Sequence, residues 1–203
     1  MTIYLVRHGL AAAGVADLDP GLAELGHTQA RAAAEALRET KATRLIVSPL
    51  RRTQETAAPI AAALGLVPEI REEVAEVFDP SMPSEERTAM IGPFMAGRWR
   101  DQPAALRAWR QRVIDTLLAV GLETAAQDGD LVVVSHYIAI GVAIGEATDD
   151  DRVVPAPIAN CSITSMEVGH AGLTLIEAGS VAHLAKEQVG GANAAMMGRR
   201  ARD

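Results

Sequence analysis

Thr2-Ile3-Tyr4-Leu5-Val6-Arg7-His8-Gly9 decides how the rest of the chain is read. The run from Thr2 to Val6 alternates and is rich in β-formers, which predicts a buried strand beginning almost at the N-terminus. Gly9 supplies permissive backbone where that strand breaks into a loop. Arg7 and His8 then stand side by side at the strand's carboxyl end, the edge where open α/β sheets gather ligands, and a guanidinium beside an imidazole suits an anion. One Arg-His pair carries little weight, because most single histidines are ordinary surface or core residues.

Two further stretches repeat the pattern. Leu45-Ile46-Val47-Ser48-Pro49-Leu50-Arg51-Arg52-Thr53 reads as a strand ending in Ser-Pro, followed by a helix start with two arginines. Asp130-Leu131-Val132-Val133-Val134-Ser135-His136-Tyr137 reads as a continuous apolar strand ending in Ser-His. Three strand ends that each deliver a histidine or arginine form one constellation.

The order Arg7-His8-Gly9, Ser48-Pro49-Leu50-Arg51-Arg52, Ser135-His136 and Asn160 resembles the histidine phosphatase superfamily, the branch that includes phosphoglycerate mutase and many small phosphatases. The resemblance runs from residue 1 to about residue 184, and the combination is far more specific than any single piece. It implies a three-layer α/β/α fold with a mostly parallel central sheet. Spacing from Ser48 matches Arg52, not Arg51, to the family's phosphate-binding position. Glu76 matches the family's acid, with Glu73 as the fallback, and Asn160 matches a position beside the active site. The chain departs from the family at Leu10, where Glu is common, at Ala23 and Val74, and at Tyr137-Ile138, where the family has Gly-Gly. Tyr137 is expected to offer its hydroxyl to the ligand.

Composition bounds the alternatives. A chain of 203 residues, 49% of them hydrophobic, suits one globular domain with a sizeable core. A formal net charge of −7 argues against nucleic acid as a partner, since a backbone binder needs a basic field. The single cysteine, Cys161, excludes an internal disulfide and a cysteine-based zinc site. No stretch approaches the length of a membrane span, and the first apolar run is too short for a signal peptide, so a cytoplasmic protein without a membrane partner is expected. No repeat or linker divides the chain, and its oligomeric state, including a homodimer, stays open.

Helices are predicted through Ala30, Ala33, Ala34 and Leu37, from Leu50 to Leu64 with Gly65 closing it, and from Pro103 through Val120. Tyr137–Ile144 reads as a buried helix, and Asn160–Val168 with Leu173–Glu177 as a hairpin at the sheet edge. Asp79–Gln102 is expected to be an irregular or loosely helical excursion; Met82, Met90, Phe94, Met95 and Trp99 are candidates for a pocket wall, with ordinary core packing the expected role for most of them. Residues 185–203 are expected to form a mobile tail.

The chemistry that the resemblance implies is phosphoryl transfer through a phosphohistidine on His8. His8 must then be neutral, with its second nitrogen donating to a fixed loop carbonyl. Arg7 and Arg52 would hold the non-bridging oxygens. His136, if protonated, would add positive donors, and Glu76 would protonate the leaving alcohol and later activate water. No metal or cofactor is required, and the partner is a small phosphorylated metabolite. A short chain with an apolar excursion favours hydrolysis over a mutase reaction. Two other readings stand beside it: a catalytically weak phosphoester-binding protein, and a metal hydrolase with His8 and His136 as ligands.

Overall fold

The computed structural model describes residues 1–12, 19–78 and 84–190, with residues 84 and 86–88 described by their backbone. Six strands form one sheet: β1 (Thr2–Arg7), β2 (Ala42–Val47), β3 (Glu69–Ile70), β4 (Asp130–Ser135), β5 (Ile163–Gly169) and β6 (Gly172–Ser180), in the order β3-β2-β4-β1-β5-β6. The first four run parallel, and the β5-β6 hairpin continues the sheet antiparallel beyond β1. Helices α1 (Glu24–Leu37), α2 (Arg51–Leu64), α3 (Ser84–Ala96), α4 (Ala104–Ala125) and α5 (Tyr137–Thr148) connect them.

The period of two along each strand sorts side chains onto opposite faces. Val6, Leu45, Val47, Val132 and Val134 share one core with the small buried face of α1 and with Ala57 and Ile60 of α2. Ile3, Leu5, Ile46, Leu131 and Val133 share the other with α4 and the almost wholly buried α5. Both faces are therefore covered, which accounts for the unbroken apolar run of β4. The result is the expected three-layer α/β/α arrangement.

The chain leaves β1 toward α1 on one face and leaves the adjacent β4 toward α5 on the other. Such a reversal opens a crevice at the carboxyl ends of the two strands. Arg7 and Ser135 are register partners at that crevice, so the residues that follow them, His8 and His136, emerge together.

Part of the Asp79–Gln102 excursion is more regular than expected. Residues 84–96 form the regular helix α3 through Gly92 and Pro93. No apolar stripe marks it because Met90 and Ile91 face solvent and only Phe94 is buried among its described side chains. Phe94 and Trp99 belong to the core, in a run of ring contacts from Phe78 through Phe94 and Trp99 to Trp109. Residues 185–190 carry a single 3-10 turn at Lys186–Gln188 and are hydrogen-bonded to the body of the protein through Gln29 and Asn160. The expectations for Met82, the loop at 13–18 and the tail at 191–203 lie outside the described residues.

Candidate active site

Every backbone amide and carbonyl in the turn from Arg7 to Leu10 has a partner. The amides donate in order to Ser162 O, Ser135 O, Thr56 Oγ1 and Gln29 Oε1. The carbonyls accept in order from Cys161 N, Asn160 Nδ2, His8 Nδ1 and Ala23 N. A loop whose polar groups are all paired resists displacement, which fixes the His8 ring. Gly9 is required by close approach, since a Cβ there would lie 2.6 Å from Gly26 O, and one on Gly26 would lie 2.2 Å from Leu10 O.

Because a carbonyl can only accept, the 2.7 Å contact between His8 Nδ1 and Gly9 O places the imidazole proton on Nδ1 and leaves Nε2 with a free lone pair. Burial, with the charges of Arg52 and Arg7 behind it, drives the His8 pKa down to about 3, so the ring is neutral at neutral pH. The His136 ring lies 5.3 Å away between centroids.

His136 is fully buried as the N-cap of α5, and its state follows from its neighbours. Arg52 Nη2 lies 3.3 Å from its Nδ1, and a guanidinium only donates, so Nδ1 accepts. Nε2 therefore carries the proton and donates to Ser48 Oγ at 2.7 Å. Burial foremost, then His8 and the two arginines, hold its pKa well below the usual imidazole range. His136 is therefore neutral in the unliganded protein, held so by burial first and by His8 and the two arginines after it.

Arg52 also lies 3.4 Å from Asp19 through Nη1. Arg7 donates to Ile158 O at 2.6 Å and lies 4.9 Å above the centre of the Tyr137 ring. Tyr137 thus engages the site through its ring face, while Ile138 turns into the core. Asn160 gives its amide N–H to the His8 carbonyl, which makes it a support for the turn that carries His8. Arg7 Nε and Asn160 Oδ1 are buried and have no hydrogen-bond partner among the described residues.

Glu76 follows the 3-10 turn at Glu72–Val74, which Ser135 Oγ anchors by donating to Val74 O at 2.6 Å. Burial raises its pKa, outweighing the Val77 amide and the charges of Arg52 and Arg7 that pull it down. Both arginines act on the Glu76 carboxyl, and Glu76 acts in return on Arg7. Among the described residues no group of three or more His, Cys, Asp or Glu side chains is arranged to hold a metal ion.

Several contributors carry no assignable role in the sequence alone. Gln29, fully buried, accepts from Leu10 N at 2.8 Å and donates to Gln188 O at 2.6 Å. Thr56 supports Gly9, and Gly190 O accepts from Asn160 N. Ser48 and Gln29 fall in motifs that the sequence displays, but Asp19 and the 185–190 segment have no local signal.

Two imidazoles and two guanidiniums are brought together at the switch point of a doubly wound α/β sheet. The chain belongs to the histidine phosphatase superfamily (branch 1), which it matches over residues 3–180. No curated protein matches it by sequence. Among solved structures it resembles YhfR of Bacillus stearothermophilus (TM-score 0.72, 20% identity, 90% of this chain and 98% of that one). It also resembles a mutant phosphoserine phosphatase of Entamoeba histolytica in complex with phosphoserine (0.71, 20%, 91% and 99%). A third is a mycobacterial glucosyl-3-phosphoglycerate phosphatase complexed with VO3 (0.67, 23%, 88% and 98%). At these identities the likeness is one of fold. No helix among the described residues is long and apolar enough to cross a membrane.

Proposed function

We propose that the protein is a phosphatase that hydrolyses a small phosphomonoester of the cytoplasm through a phosphohistidine on His8. The observation that carries this reading is the tautomer of His8: Nδ1 is committed to Gly9 O, which leaves Nε2 unprotonated on a ring that feels the charges of Arg52 and Arg7. Family membership and the phosphatases among the structural relatives support it.

Nε2 of His8 attacks phosphorus as the P–O bond to the alcohol breaks, and Glu76 gives its proton to the departing oxygen. Arg7 and Arg52 hold the non-bridging oxygens throughout. The buried Arg7 Nε has no hydrogen-bond partner among the described residues. A dianion drawing Arg52 away from His136 Nδ1 would raise the affinity of that nitrogen for a proton, turning His136 into a further donor. Water then attacks phosphorus, Glu76 recovers a proton, and the N–P bond breaks. No step draws on a metal ion.

Turnover of p-nitrophenyl phosphate by the purified protein tests the reading. Phosphate release that disappears in His8→Ala is expected, and turnover retained by that variant would contradict it.

A further inference from the structure

We propose, given the phosphatase reading, that the segment from His183 to Gly190 is a clasp that aims the His8 ring, and that His183 is a positioning residue for the reaction. The clasp follows Ser180, the last residue matched to the superfamily.

The turn that carries His8 is backed by the loop at 158–162. Arg7 N donates to Ser162 O at 3.2 Å, Cys161 N to Arg7 O at 3.0 Å and Asn160 Nδ2 to His8 O at 3.0 Å. Beyond Gly9, Leu10 N donates to Gln29 Oε1 at 2.8 Å. A shift of that loop or of Gln29 is therefore passed to the His8 backbone and, through the contact of Nδ1 with Gly9 O, to the ring itself.

These supports are held in turn by residues 183–190. His183 Nε2 lies 2.9 Å from Cys161 O, and because a carbonyl only accepts, Nε2 carries the proton and donates. Asn160 N donates to Gly190 O at 3.3 Å, and Gln29 Nε2 donates to Gln188 O at 2.6 Å. The clasp is closed on itself: Gln188 N donates to Ala185 O and Ala185 N to Gln188 Oε1, both at 2.9 Å, and Leu184 is buried. Cys161 needs such a hold. Its φ of 51° lies in the left-handed region, which a residue with a Cβ adopts at a cost and keeps only where its surroundings impose it. The same residue gives its amide to the turn that carries His8 and its carbonyl to His183, so the imidazole of His183 acts on the geometry of attack without touching the phosphate.

Steady-state kinetics with p-nitrophenyl phosphate on full-length variants, together with nitrogen NMR of the imidazoles in the unliganded proteins, test this. Burial lowers the His183 pKa, so the ring is neutral at neutral pH and replacing it removes no charge. His183→Phe keeps a ring and loses the donor; kcat is expected to fall about tenfold with KM within about twofold. His183→Gln restores an N–H and is expected to return kcat to within about threefold of the parent protein. Gln188→Ala opens the clasp from its other end with His183 in place, and is expected to lower kcat by about threefold to fivefold. The ring nitrogens of His8 should shift in both His183→Phe and Gln188→Ala, which a loss of overall stability alone would not produce. An unchanged kcat in His183→Phe, or in Gln188→Ala where the former does not fold, a loss that His183→Gln fails to recover, or His8 resonances that stay in place would overturn the proposal. Turnover of p-nitrophenyl phosphate that persists in His8→Ala would instead overturn the phosphatase reading, and the His8 ring spectra would still decide whether the clasp aims that ring.

Discussion

Arg52 Nη2 and His136 Nδ1 lie 3.3 Å apart, and since the guanidinium can only donate, this contact fixes the tautomer of a histidine 84 residues away in sequence. Its other nitrogen must then donate, and Ser48 Oγ receives it. Ser48→Ala would strand that buried N–H. A loss of about 1–3 kcal/mol of stability is expected from urea unfolding, together with a kcat reduced by more than KM changes, as His136 loses its orientation. An unchanged kcat would show that the imidazole is held by other contacts.

Gln29 couples the turn after His8 to the segment at 185–190 with one side chain. Gln29→Met keeps the volume while leaving the Leu10 amide and the Gln188 carbonyl unpaired. Destabilisation of about 2–4 kcal/mol is expected. Gln29→Glu retains the acceptor for Leu10 N and should recover more kcat than Met does, a difference that steady-state kinetics would reveal.

Glu76 has its proton held more tightly than an ordinary carboxyl. As a proton donor it acts below its raised pKa, so the alkaline limb of kcat for alkyl phosphates should disappear in Glu76→Gln. That variant is expected to lose about 10²–10⁴-fold in kcat with alkyl phosphates and far less with p-nitrophenyl phosphate, whose leaving group needs no proton. Equal losses with both substrates would assign Glu76 another role.

Acid should unfold the protein through its two buried imidazoles. With the His8 pKa lowered from 6.5 to about 3 and that of His136 lowered too, the unfolded chain binds more protons than the folded one below pH 6.5. Stability therefore falls as pH drops from 6.5 toward 3, by up to about 1.4 kcal/mol per pH unit for each histidine. Glu76, whose shift has the opposite sign, offsets part of this. Urea midpoints across that range check it, and a His8→Ala protein should show a shallower slope.

The parts of this site that the sequence displays are those carried by strand ends. Arg7, His8, Ser135 and His136 follow apolar runs whose register alone brings them together, and Arg52 follows a third. Glu76 is preferred to Glu73 in the sequence by position alone, whereas the Ser135–Val74 hydrogen bond that anchors the turn before Glu76 is non-local. Asp19 is illegible in the sequence because its partners, Arg51 and Arg52, lie more than thirty residues away on another element. Helix α3 lacks an apolar stripe because most of its described side chains face solvent. Gly9 reads in the sequence as permissive backbone, yet what requires it is the approach of α1 through Gly26.

The most direct test of the phosphohistidine is rapid quenching of the protein with a phosphorus-labelled phosphomonoester, followed by peptide mapping. The expected result is label on His8, acid-labile and stable to alkali, formed no more slowly than turnover and absent from His8→Ala. Turnover with label on another residue, or with no labelled protein under conditions that preserve phosphohistidine, would contradict it.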